Sequence, residues 1–104
     1  MSVYALIGHD REDSLEQRLK VRPEHLARVR ELADQGRLVV AGPFPAIDAD
    51  EPTAAGFTGS LILAEFDSLA LAREWFEQDP YVTSGVFRSI DEAYAWFAAD
   101  PAVE

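Results

Sequence analysis

Two short segments hold the residues best suited to acid–base chemistry: Arg22-Pro23-Glu24-His25 and Asp79-Pro80-Tyr81. The first offers an imidazole, the side chain that most readily gains and loses a proton near neutral pH. The second offers a carboxylate. A carboxylate bonded to one ring nitrogen orients an imidazole and steadies its cation, leaving the other nitrogen to act as base or acid. With no cysteine and only two histidines in 104 residues, few other combinations could do this work. Each residue also has a plainer reading. His25 suits a core edge, bonded to a backbone carbonyl. Asp79-Pro80 suits the exit from a helix, because the residue before proline is pushed out of helical geometry. A carboxylate at a helix C-terminus meets the negative end of the dipole, at a cost of about 0.3–1 kcal/mol. Local rules are broken in this way at functional sites.

Other residues extend the candidate site. His9 and Asp10 leave the first expected strand together and could bring a second imidazole to the pocket. With His25 and Asp79 they would approximate a metal site, but no pair of histidines has the i, i+4 spacing that makes such a signal strong, so no metal or other cofactor is expected. Arg18 and Arg22 are candidate donors to an anionic substrate group; a solvated helix face is the alternative. Tyr81 is a candidate substrate contact or, like Trp75, Phe76 and Phe87, a core residue.

The elements that must position these groups follow from periodicity. Residues 3–8 read as a strand. Residues 14–20 begin a helix, with Ser14 and Gln17 in capping-box spacing. Pro23 is expected to interrupt it and start a new helix, since proline fits the first helical position; Leu26, Val29 and Leu32 continue the spacing and Gly36 caps the end. Residues 37–42 read as a second strand. A loop from 43 to 56 follows, with three prolines and three acids. Residues 58–66 form a third strand, and Asp67 or Ser68 caps a helix that ends at Asp79-Pro80. Residues 86–97 are ambiguous between period two and helical spacing and are read as a strand over 86–95.

The order β-α-β-β-α-β is the split βαβ, or ferredoxin-like, α+β arrangement: a four-stranded antiparallel sheet with two helices on one face. Both strand faces are apolar. Leu38 and Val40 are expected to oppose Val39 and Ala41, and Leu61 and Leu63 to oppose Ile62 and Ala64. A one-sided antiparallel sheet would leave the outer face polar, so a homodimer with sheets packed face to face is expected.

Composition narrows the function. The net charge of −10, from 9 basic and 19 acidic residues, repels phosphate backbones and anionic membranes and argues against nucleic acid or a membrane as partner. The absence of cysteine removes disulfides, thiol catalysis and thiolate metal sites. With no leader-like start or long apolar run, a soluble cytoplasmic chain of one domain, residues 1–104, is the expectation.

At these residues the chain closely resembles the YciI-like (YCII-related) family. The matching stretches are DSLEQRLKVRPEHLARVRELADQGRLVVAGPFPAID (13–48), AAGFTGSLILAEFDSL (54–69) and DPYVTSGVF (79–87). The resemblance implies a ferredoxin-like fold, a dimeric α+β barrel, and a last segment that is a strand; the stretch DEAYAWFAADPAVE matches least well. It further implies enzymatic activity built on a histidine–aspartate pair, here His25 and Asp79. Relatives that act on hydroxylated or halogenated aromatics, and lactone isomerases of similar architecture, suggest a reaction class by analogy. The leading expectation is a cofactor-independent lyase, isomerase or dehydrohalogenase acting on a small polar ring compound. The alternative is a non-catalytic ligand-binding or assembly domain in which the pair is structural.

Overall fold

The computed structural model describes residues 1–51 and 53–97. Along the chain run β1 (Ser2–Asp10), α1 (Leu15–Asp34), β2 (Leu38–Pro45), a 3₁₀ turn (Thr53–Ala55), β3 (Phe57–Phe66), α2 (Leu69–Glu77), α3 (Pro80–Thr83), β4 (Phe87–Ile90) and β5 (Tyr94–Trp96). The sheet is antiparallel, in the order β2-β3-β1-β4, with β5 beside the other end of β1. This is the ferredoxin-like α+β arrangement expected from the sequence.

Strand alternation decides what each face does. Tyr4 and Leu6 of β1 pair with Ala64 and Ile62 of β3, and all four are buried beneath the helices. Val29 and Leu32 of α1, Ala72 and Phe76 of α2, and Tyr81 of α3 complete that core. The Phe87 ring lies over Gly8, where any Cβ would collide with it. No helix among the described residues is long and apolar enough to cross a membrane.

Five local expectations are corrected. First, α1 runs unbroken through Pro23. Proline deletes one helical hydrogen bond and crowds the preceding turn, at about 3 kcal/mol. Arg18 on one side of it, and His25, Val29 and Leu32 on the other, are buried on one stripe, and that shared packing holds both halves in line. Second, the capping box does not form. The Ser14 hydroxyl donates instead to Asp10 Oδ2 at 2.6 Å. Third, β2 extends to Pro45, and only an edge strand tolerates its prolines. A bulge between Leu38 and Val40 breaks the expected alternation: Leu38 and Ala41 pack against the core, while Val39 and Val40 are 53% and 52% exposed. The expected 43–56 loop therefore shrinks to 46–56, closed by the Ala46 N–H donating to Gly56 O at 3.0 Å.

The fourth correction concerns Asp79. It does not end a helix against the dipole; it is the N-cap of α3, with Pro80 in the first turn, and accepts from the Tyr81 backbone N–H at 2.9 Å. Pro80 stops α2 but its fixed φ also starts the next helix. The expected strand 86–95 is split into β4 and β5, whose pairings with β1 differ by one residue in register across residues 91–93. The C-terminal stretch from 98 to 104 lies outside the described residues.

Gly36 behaves as expected. Its φ of 71° supplies the left-handed turn, and the Arg37 N–H reaches back to Leu32 O at 2.9 Å, closing α1. Ser68 likewise caps α2 by accepting from the Leu71 N–H at 3.1 Å.

Candidate functional site

His25 lies on the buried stripe of α1, seven residues after Arg18 and thus two turns along the same face. Asp79 sits at the α2–α3 junction and is fully buried. The two meet: His25 Nδ1 lies 3.0 Å from Oδ1 and 3.0 Å from Oδ2 of Asp79. An ionised carboxylate only accepts, so in the neutral imidazole Nδ1 carries the hydrogen and Nε2 keeps its lone pair. Nε2 has no hydrogen-bond partner among the described residues, and His25 is 8% exposed.

Two further groups fix the carboxylate. Arg28 Nη1 donates to Asp79 Oδ2 at 3.2 Å, and the Tyr81 backbone N–H donates to Oδ1. Arg28 is itself held, stacked 4.1 Å from the Trp75 ring centre and donating to Trp75 O at 2.7 Å. Sequence reasoning missed Arg28. The signal was present, because Arg28 is one helical turn from His25 and faces the same partner.

Tyr81 stacks flat on the imidazole, with ring centres 4.0 Å apart and planes 15° from parallel. Burial raises the Tyr81 phenol above its ordinary value of 10.0, while the nearby Arg18 and Arg22 pull it down and Asp79 adds to the rise. The Arg18 guanidinium lies 4.6 Å from the Tyr81 ring centre.

Arg18 is committed to the protein. Its Nε and Nη2 clasp Asp10 at 3.0 and 2.6 Å, and Nη2 also reaches Ser60 Oγ at 3.0 Å and Gly59 O at 3.2 Å. This ties α1 to β1 and β3 beneath the site. Asp10, Ser14 and Ser60 thus support the site without having been singled out for that role. Arg22 differs: it is exposed and has no ion-pair or hydrogen-bond partner among the described residues.

A cavity of about 450 Å³ opens between α1 and the β2–β3 edge, and His25, Tyr81, Arg18 and Arg22 line it together with Pro43 and Ser60. That volume suits a single-ring compound. Among the described residues, no group of three or more His, Cys, Asp or Glu side chains converges as a metal cage.

His9 does not join this cavity. Alternation turns it to the opposite face of the sheet from Asp10, where its Nε2 pairs with Asp91 Oδ1 at 2.7 Å. Of the six sequence candidates, the structure brings His25, Tyr81, Arg18 and Arg22 to one cavity, sets Asp79 behind His25, and leaves His9 apart.

With that geometry in place, comparison with known proteins is informative. Residues 2–91 match the YCII-related domain. "Protein YciI" of Escherichia coli and of Shigella flexneri are each 53% identical over 88 residues, covering 85% of this chain and 90% of theirs. An uncharacterized protein of Haemophilus influenzae is 47% identical over 87 residues, covering 84% of this chain and 89% of its own. Among solved structures, 5-chloro-2-hydroxyhydroquinone dehydrochlorinase (TftG) of Burkholderia phenoliruptrix, in complex with 2,5-dihydroxybenzoquinone, superposes with a TM-score of 0.81. The likeness covers 93% of this chain and 95% of that one at 24% identity, which speaks to the fold.

Proposed function

The chain belongs to the YCII-related family, and on that premise we propose that it is a cofactor-independent acid–base enzyme for a small polar ring compound, of the lyase, isomerase or dehydrohalogenase type. One observation carries this reading: Asp79 holds Nδ1 of His25 while the imidazole lines a ring-sized cavity with Nε2 unpartnered. His25 Nε2 accepts a proton from the ring. Asp79 keeps the imidazole oriented and steadies the imidazolium, as carboxylates do beside catalytic histidines. In isomerisation the proton returns to another ring atom. In elimination the halide departs with its bonding pair and the proton taken up by Nε2 passes to water, so that hydrogen halide is lost overall. Tyr81 and Arg22 contact the ring; Arg18 backs them from its clasp on Asp10. The shared fold with a dehydrochlorinase that binds 2,5-dihydroxybenzoquinone supports a hydroxylated ring as substrate.

The outer face of the sheet supports a homodimer. Val40, Phe44, Tyr94 and Trp96 are exposed there beside Ile7 and Leu61. Two copies packed through these faces would remove a continuous apolar patch from water. Light scattering is expected to return the mass of two chains, and the mass of one would contradict it.

One observation favours the structural alternative: Asp79 also caps α3 and binds Arg28, so it has work independent of catalysis. Halide release and ring isomerisation, assayed over a panel of chlorinated hydroquinones and hydroxylated lactones, separate the two. Wild type should turn over at least one class and His25→Gln should lose it; full turnover by His25→Gln would end the acid–base reading.

A further inference from the structure

The cavity has a charge of its own. The chain carries 19 acidic and 9 basic residues, so its surface on average repels anions. Yet no carboxylate lines the cavity among the described residues, and its charged lining consists of Arg18 and Arg22, beside His25. The acids that serve the site stand behind it: Asp10 grips Arg18 and Asp79 grips His25, each pointing its partner rather than itself at the space. Tyr81 occupies the junction, its ring touching both His25 and Arg18.

Resting on the acid–base reading of His25, we propose that the Tyr81 hydroxyl and the Arg22 guanidinium form an oxyanion-receiving wall, and that the substrate is a ring compound whose oxygen is, or becomes, a phenolate or enolate. When His25 Nε2 takes a proton from the ring, the freed electron pair settles on that oxygen. Tyr81 keeps its own proton and donates a hydrogen bond, and Arg22 supplies the countercharge. A phenol keeps its proton at neutral pH, so Tyr81 is a donor there. Arg22 can serve because no carboxylate of the described residues claims it, whereas the charge of Arg18 is already matched by Asp10. Donors preorganised where charge develops are among the strongest devices in enzymes.

The test uses para-nitrophenol, whose neutral and ionised forms differ in colour, and the full-length chain. Wild type should bind it as the yellow phenolate, at a pH where the free probe is largely neutral. Tyr81→Phe, which keeps the ring stack and removes only the hydroxyl, should weaken phenolate binding about tenfold or more. Arg22→Gln, at an exposed position where the fold is not at stake, should weaken it by a similar factor; Arg73→Gln, on the outer surface of α2, should not. Wild-type phenolate affinity in both Tyr81→Phe and Arg22→Gln would overturn the inference, as would binding of the neutral phenol alone or no binding by wild type. Failure of the acid–base reading would instead appear in the turnover of His25→Gln, with these phenolate affinities unchanged.

Discussion

Among the described residues the molecule contains two histidine–aspartate pairs, 82 and 54 positions apart in the chain, and they differ in almost everything that matters for chemistry. His9 Nε2 meets Asp91 Oδ1 at 2.7 Å on the outer sheet face, with side chains 36% and 31% exposed. His25 Nδ1 meets both oxygens of Asp79 at 3.0 Å, buried where α1 meets the start of α3. The shorter contact is the less consequential one. Within a single chain water competes for His9 and Asp91, and exposed pairs contribute about 0–1 kcal/mol. Around Asp79 each donor is fixed by something else: Arg28 by Trp75, the Tyr81 N–H by α3, His25 by the stacked Tyr81 ring. Distance alone does not identify a working pair; the groups that hold the carboxylate and the space in front of the free nitrogen do.

The comparison is broken most directly by exchanging the histidines. On a ring substrate found by screening, His25→Gln should lower kcat by about 10²–10⁴-fold, the usual contribution of a general base. His9→Gln should stay within about twofold, as for surface changes away from the chemistry. Comparable losses in the two variants would erase the distinction. Stability sharpens it next. Asp79→Ala leaves His25 and Arg28 facing an empty site and should cost about 3–5 kcal/mol in urea unfolding. Asp91→Ala should cost under about 1 kcal/mol. Equal midpoints for both variants would show that burial of the Asp79 carboxylate has no energetic weight.

How far the sequence told these pairs apart depends on the residue. The Val29 and Leu32 part of the buried stripe of α1, the caps at Gly36 and Ser68, and the strands around Leu6 and Ile62 were legible, because each follows from a local period or a local backbone need; Arg18, expected as a substrate donor or on a solvated face, is buried on the same stripe. The His25–Asp79 contact spans 54 positions in the chain; spacing named both residues, but only packing joins them. Asp79 was read in the wrong electrostatic setting because Asp-Pro both ends and begins helices, and only the continuation into Tyr81 decides which. Pro23 misled for the converse reason: a local break was outweighed by tertiary packing on both sides. His9 and Asp10 could have been separated from sequence, since neighbours in a strand point to opposite faces. The bulge in β2 could not, because it depends on how β2 lies against β3.

Smaller effects test the surroundings of the buried pair. Replacing Asp10 by Asn removes the negative charge facing Arg18 and one of its two acceptor oxygens, and should cost about 1–3 kcal/mol, the range for a buried hydrogen bond to a charged group; an unchanged midpoint would mean that Arg18 does not tie α1 to the sheet. Tyr81 offers a pH signature. Its value is raised on folding, so above about pH 10 the unfolded chain releases that proton first. The unfolded state then binds fewer protons than the folded one, and stability falls as pH rises through the folded value. Tyr81→Phe should lack this part of the alkaline decline, and identical pH profiles for the two proteins would contradict the burial of the phenol.

Nitrogen–proton correlation NMR of the two imidazoles tests the central claim most directly, because the two pairs engage different ring nitrogens. In their neutral forms, His25 should carry its hydrogen on Nδ1 and His9 on Nε2, and Asp79→Asn should alter only the His25 pattern. A hydrogen on Nε2 of His25, or a His25 signal indifferent to the loss of the Asp79 charge, would contradict a histidine held by Asp79 with its working nitrogen free.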